Sequence, residues 1–141
     1  MSEQGKEITE EHKEMARSAL KNAPFPRLVG LELVDLRDGE AIIKLEMRDE
    51  LRQPYGLLHG GATATLIDTA TAFAVITRQT PDEQSTTVDL TIHYLRPHTS
   101  GEITCTAQIV RAGRRITTVS AEVVNAEGKL IATALSTYMK V

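Results

Sequence analysis

His59, Gly60 and Gly61 stand at the head of a long apolar run, and nine residues after the histidine that run carries one acid, Asp68. A His-Gly-Gly opening a helix has a definite chemistry. The first backbone N–H groups of a helix lack internal acceptors and lie at the positive end of its dipole. Glycines let another molecule approach those groups closely. A carbonyl oxygen bound there would be polarised, and the oxyanion of its tetrahedral intermediate stabilised. Asp68 offers the complementary group. Burying a carboxylate without partners is costly, and no Lys or Arg lies between residues 53 and 77 to offset it. Asp68 therefore either faces solvent at an edge, accepting hydrogen bonds from Thr65 or Thr69, or stands in a dry site as a nucleophile or general base. The apolar surroundings favour the second placement. Gly60 and Asp68 are about 12 Å apart along a helix axis, too far for one reacting carbon to touch both. A site that uses both draws its halves from two copies of the helix in a homodimer.

These residues must be positioned by a helix spanning 59 to about 78. Gly60, Gly61, Ala62, Ala64, Leu66, Ile67, Ala70, Ala72, Phe73, Ala74, Val75 and Ile76 leave it little polar surface beyond threonines. Such a helix is buried on all sides. In a domain this small, a curled antiparallel sheet must wrap it, with a partner subunit closing what remains open. The flanking sequence supplies the strands. Residues 9 to 22 read as a first helix, capped by Thr9 and ended by Pro24 and Pro26. Val29, Leu31 and Leu33 alternate with their neighbours, Asp38-Gly39 marks a turn, and Ala41, Ile43, Leu45 and Met47 alternate again, giving a hairpin. After residue 85 the same period places Val88, Leu90, Ile92 and Tyr94 on one face. Ile103, Cys105, Ala107 and Ile109, then Val119, Ala121 and Val123, then Leu130, Ala132 and Ala134 follow. Connections this short hold no crossover helices, so the sheet is mainly antiparallel and the class is α+β.

The chain has 141 residues, 41% hydrophobic and 25% charged, the composition of one ordinary folded domain. A formal net charge of −3 supplies no overall basic field for nucleic acid or an anionic membrane. The lone Cys105, in an alternating apolar run, reads as a core residue and excludes an internal disulfide. His93 and His98 have no third ligand at metal spacing, and Ser85 and Ser136 lack a His-Asp constellation, so neither a zinc site nor a serine hydrolase is read. The polar N-terminal stretch lacks a secretory h-region and no apolar run is long enough to span a bilayer, so the expectation is a cytoplasmic protein.

The strings QPYGLLHGGATATLID, TTVDLTIHYLRP, RAGRR and AEVVNAEGKLIA, in that order, resemble the hotdog-fold acyl-CoA thioesterases of the phenylacetate-pathway type. The likeness runs from about residue 25 to 141, which leaves residues 1–24 as an N-terminal helical segment before a hotdog domain. It implies about six antiparallel strands round a central helix, homodimers whose sheets join, and homotetramers. It implies acyl-CoA as substrate, with coenzyme A entering only as part of substrate and product and no metal or redox cofactor. Residue by residue, Asp68 matches the acid that attacks the thioester or activates the attacking water, and Gly60 the glycine whose N–H binds the carbonyl oxygen. Gln53 matches a position that is Asn in one branch and Gln in another, where the side chain helps place the reacting groups. Thr87 matches a hydroxyl that orients water opposite the acid; a second branch places that hydroxyl where this chain has Ala72. His59 sits in the catalytic motif, where the likeness implies a structural role more than acid–base chemistry.

Coenzyme A brings phosphates, which local cations must meet. Arg96 beside Pro97, and Arg111, Arg114 and Arg115 around Gly113, are the candidates, since guanidinium forks match phosphate oxygens and glycine-turn N–H groups can add to them. The bland alternative is a hairpin tip kept soluble by charge. The resemblance lays the pantetheine and nucleotide along Tyr94, Leu95, Arg96 and Pro97 to Thr99, and along Arg111 to Ile116, and Gly61 counts with these substrate-binding residues. Leu57, Leu58, Ile67 and Phe73 could line either an aryl pocket or a medium-chain channel. Two further readings share the fold: a non-catalytic acyl-CoA-binding domain, and an enoyl-CoA hydratase or dehydratase with a His-acid pair.

Overall fold

The alternating segments pair, in a computed structural model that describes residues 7–141, into one sheet of six strands among these residues. Its strands are β1 (Leu31–Arg37), β2 (Glu40–Glu46), β3 (Ser85–Tyr94), β4 (Glu102–Ala112), β5 (Ile116–Asn125) and β6 (Leu130–Lys140). Every pairing is antiparallel and the spatial order is β1-β2-β4-β5-β6-β3. The helices are α1 (Glu10–Asn22), α2 (Pro24–Val29) and α3 (Gly60–Ile76). The sheet curls round α3, which packs chiefly on β2, β4 and β5. This is the central-helix arrangement that the resemblance implies. Residues 1–6 of the expected N-terminal segment lie outside the described residues.

Period 2 puts Ile43, Leu45, Ile103, Cys105, Ala107, Val119 and Val123 on the concave face, where they meet Leu66, Ile67, Ala70 and Ala74 of α3 in the core. Alanines at 70 and 74 let the sheet approach the helix backbone closely, which dense packing requires. One stripe of α3 differs from the expectation of burial on all sides. Thr65, Asp68, Thr69, Ala72 and Phe73 are only half-buried, and Gly61 and Ile76 are exposed. A single sheet covers only part of a helix's circumference, and Asp68 lies on the part left over.

Three boundaries move from their expected places. Pro24 ends α1 but also opens α2, since proline is suited to the first helical turn, where its missing N–H has no intrahelical role. Val29 is therefore the last residue of α2 rather than part of a strand, and Gly30, at φ 93°, turns the chain into β1. In β3 the register shifts between Thr87 and Asp89, so Val88 leaves the apolar face of Leu90 and Ile92 and is 55% exposed.

The two edges of the sheet are treated differently. At β1, α1 lies alongside, with the Lys13 ammonium 2.9 Å from Asp35 and an Arg17 guanidinium nitrogen 3.5 Å from the Val34 carbonyl. The other edge is β3. It carries no Lys or Pro along its length, and among the described residues no helix packs along it as α1 does on β1.

Candidate active site

Asp68 is held from the sheet. Thr87 Oγ1 donates to Asp68 Oδ1 at 2.8 Å, and the Tyr138 hydroxyl lies 3.1 Å from the same oxygen and 2.8 Å from the Asp68 backbone carbonyl. Thr71 Oγ1, one turn further along α3, stands 2.8 Å from the Tyr138 oxygen. Tyr138 is 3% exposed. Its burial pushes the hydroxyl up to about 12, with the Asp68 charge adding in the same direction, so it stays protonated and acts as a donor. Both donors meet Oδ1, and among the described residues none meets Oδ2. The expected partners Thr65 and Thr69 do not serve: Thr65 Oγ1 bonds the Gly61 carbonyl one turn back.

Thr87 reaches Asp68 because of the irregularity at Val88. Strict alternation would put Thr87 on the opposite face from Leu90, Ile92 and Tyr94. The shifted register lets it share the helix-facing side with Leu90 and Ile92, which pack on the core, and Tyr94, whose hydroxyl donates to the Gly60 carbonyl at 2.8 Å.

At the start of α3, His59 is the N-cap. Its Nδ1 accepts from Gly61 N–H at 2.8 Å, and its carbonyl accepts from Ala62 N–H at 2.9 Å. That commits the Gly61 donor and leaves Gly60 N–H without an acceptor among the described residues. His59 therefore fixes the helix entry and pairs with no acid. Gln53 is turned into its own loop, where Oε1 accepts from Tyr55 and Leu57 N–H groups at 2.5 and 3.2 Å. A groove of about 300 Å³ opens beside it, bringing Gln53 and Gly60 together with Leu57, Leu58 and Tyr94 through His98. Ile67 and Phe73 do not line it: Ile67 is fully buried in the core and Phe73 packs against it.

Within one chain the structure separates other predicted residues. Tyr94, paired with Ala132, ends β3 at one end of the sheet, and the Arg111–Arg115 turn lies at the other, where the Arg115 carbonyl accepts from Lys140 N–H and Lys140 pairs with Ser85. The length of β3 between those ends is about 30 Å. Arg96 donates to the Leu130 carbonyl at 3.2 Å, and Arg111, Arg114 and Arg115 are exposed. Gly113 N–H closes the hairpin on the Ile116 carbonyl, so it is not free for a phosphate as expected. Cys105 is buried, its thiol pushed up to about 12 by that burial, and is inert as a nucleophile.

Tyr138 and Thr71 are the site residues that sequence reasoning missed. The signal was present: the alternation of Leu130, Ala132 and Ala134, carried on two more steps, puts Ser136 and Tyr138 on the helix-facing side.

A family profile described as the thioesterase superfamily matches residues 55–132. Acyl-coenzyme A thioesterase 13 of Homo sapiens is 32% identical over 128 residues, covering 89% of this chain and 91% of that protein. A medium/long-chain acyl-CoA thioesterase of Salmonella typhimurium is 31% identical over 133 residues, covering 82% and 84%. Among solved structures, a mutant of the phenylacetic acid degradation protein PaaI of Thermus thermophilus superposes with a TM-score of 0.78 at 32% identity, covering 84% of this chain and 100% of that one.

Proposed function

The chain belongs to the thioesterase superfamily, and we propose that it hydrolyses acyl-CoA thioesters to a free carboxylic acid and coenzyme A, at sites each completed by two copies of the chain. The observation that carries this reading is the pair of half-sites on one face of β3. Asp68 is held by Thr87 near the strand's start with Oδ2 unengaged, and the unpartnered Gly60 N–H lies beside Tyr94 at its end.

An edge strand without Lys, Pro or a covering helix is a template for pairing. Two copies of β3 joined antiparallel about a two-fold axis at Thr91 set Thr87 near the partner's Tyr94, since with Val88 out of the ladder both lie equally far from that centre. Asp68 then faces the partner's Gly60. The same join brings the Tyr94 to Pro97 segment of one copy towards the Arg111–Arg115 turn of the other, and this supports a coenzyme lying across the interface with its phosphates on Arg111, Arg114 and Arg115. Blocking β1 with α1 keeps pairing to one edge, so association closes as a dimer; dimers pair further into tetramers.

In the reaction the thioester oxygen takes the Gly60 N–H and the carbonyl carbon faces Asp68 Oδ2. Either Oδ2 attacks the carbon, expelling the CoA thiolate and leaving an anhydride that water opens, or Oδ2 takes a proton from a water that attacks. Both routes consume one water, break the C–S bond and end with the proton on sulfur. Gln53, Leu57 and Leu58 of the groove seat the acyl chain, and its Tyr94 to Pro97 stretch takes the pantetheine. A single buried thiol fits a reducing cytoplasm, and no helix among the described residues is long and apolar enough to cross a membrane.

The test is Asp68→Asn, assayed on folded protein against a panel of aryl, short, medium and long acyl-CoAs by release of the free thiol. Turnover of the best substrate should fall by at least about a hundredfold. A loss of only a few-fold would remove Asp68 from the chemistry, and a wild-type protein that binds the panel without turnover would make it a binding domain.

A further inference from the structure

We propose that Tyr138 is a positioning residue of this site, holding Asp68 by one carboxylate oxygen so that the other is presented to the thioester. The inference rests on the reading of Asp68 given above and extends it to a side chain on the far strand.

Tyr138 sits directly across from Thr87 in the β3–β6 pairing and from Thr117 in the β5–β6 pairing. Two opposed residues on adjacent strands bring their hydroxyls to the same point of α3, and that point is Asp68 Oδ1. The protons can be assigned. Thr87 has one, and its short bond is to Oδ1. Tyr138 has one, shared between Oδ1 and the Asp68 carbonyl. Thr71 has one, with the Tyr138 oxygen and the Ile67 and Asp68 carbonyls within reach at 2.8, 2.9 and 3.1 Å. When Thr71 donates to the Tyr138 oxygen, the tyrosine proton is directed at Asp68. Rotating the carboxylate breaks both bonds to Oδ1, so these two donors fix its orientation and leave Oδ2 unengaged. Tyr138 is the one titratable side chain bonded to Asp68 among the described residues, and its partners on α3 and β3 are the uncharged hydroxyls of Thr71 and Thr87.

The role is distinct from that of Thr87. Thr87 lies on the edge strand, half-buried, where a partner or substrate reaches it; Tyr138 lies one strand inside, closed off from both. Tyr138 acts on the reaction only through the carboxylate, and Tyr138→Phe removes one oxygen while keeping the ring that fills the space.

The experiment compares wild type, Tyr138→Phe, Asp68→Asn and the double variant. In Tyr138→Phe, kcat on the best acyl-CoA should fall about ten- to a hundredfold, the loss expected for one hydrogen bond to a charged group, with KM within about twofold. A merely structural role would lower the urea midpoint and leave kcat of the folded protein unchanged. In urea denaturation the double variant should lose less than the sum of the two single variants, since Tyr138→Phe removes the donor and Asp68→Asn the charge that strengthens its bond. A Tyr138→Phe enzyme with kcat within twofold of wild type overturns the proposal while leaving Asp68 in place if Asp68→Asn is dead. If wild type turns over no acyl-CoA, the functional reading fails instead, and the denaturation cycle decides alone: additive losses overturn the hold of Tyr138 on Asp68, and non-additive losses support it.

Discussion

Two inactive variants of this chain should rescue one another. Asp68→Asn removes the carboxylate, and Gly60→Pro removes the N–H donor at the start of α3. The second change fits the local backbone. Proline is favoured at the first helical position. His59, at φ −62° and ψ 133°, already has the extended conformation that a following proline demands. A Cβ at residue 60 would meet the Tyr94 ring at 3.4 Å, an ordinary contact. Loss of one oxyanion donor lowers kcat by about 10²- to 10³-fold, so each variant alone is nearly silent. The outcome of mixing then follows from distance. Gly60 and Asp68 of one helix are about 12 Å apart, and a carbonyl group cannot span that gap. If each site takes Asp68 from one copy and Gly60 from the other, a mixed dimer has one site with both defects and one site intact. Random assembly makes about half the dimers mixed, so the mixture should recover about a quarter of wild-type activity. Further pairing of dimers does not change the figure. The assay is thiol release after co-expression of the two variants in equal amounts, with the mixed species isolated through two different tags; the isolated species should show about half of wild-type activity. A mixture no more active than its parents would refute the shared site and place the whole chemistry within one chain.

Arg114→Ala combined with Arg115→Ala should raise KM for acyl-CoA about tenfold with kcat at saturation unchanged, because phosphate contacts contribute equally to substrate and transition state; KM for an acyl-pantetheine lacking the nucleotide should stay level, and equal effects on both substrates would place the phosphates elsewhere. His59→Ala should cost about 1 kcal/mol by removing the N-cap of α3, lowering the melting midpoint by about 3 °C, with kcat within about fivefold; a hundredfold loss would make His59 a proton carrier. The Lys13–Asp35 contact predicts a pH window. The Lys13 ammonium holds the Asp35 carboxyl below its ordinary value of 3.8, and the Asp35 hydrogen bond raises Lys13 above 10.5. A depressed carboxylate stabilises the fold above its ordinary value and loses that stabilisation as pH falls through the lowered one; a raised ammonium does so below 10.5 and loses it as pH climbs through the raised value. Urea midpoints of wild type and Lys13→Met should therefore differ at about pH 6 and converge towards about pH 2 and above about pH 11; a difference constant across the range would assign the effect to packing.

Much of this protein could be read along the chain. Each strand's period of 2 and the stripe-free apolar run of α3 reflect which side chains must leave water, a property of neighbouring residues that needs no knowledge of the partner strand. His59-Gly60-Gly61 with Asp68 was legible for the same reason: helix-terminal donors and an acid eight residues beyond Gly60 are set by local geometry. Pro24 and Val29 show where local rules were ambiguous, since a proline stops one helix and starts the next equally well, and tertiary packing at Leu20 and Val29 decided between them.

What the chain could not tell depends on pairing between distant segments. The register shift at Val88 turns Thr87 inward, and nothing in TTVDLTIHY announces it, because a bulge arises from the match of β3 to β6 and not from β3 alone. Tyr138 meets Asp68 only because β6 lies beside β3 in the sheet, seventy residues of chain away from the acid. The same strand order leaves β3 at the open edge, places the arginine turn and Tyr94 at opposite ends of it, and gives α1 the task of covering the other edge. Residue types and local spacing determined which groups could do chemistry; long-range strand order and register decided which oxygen of Asp68 is held and which is free.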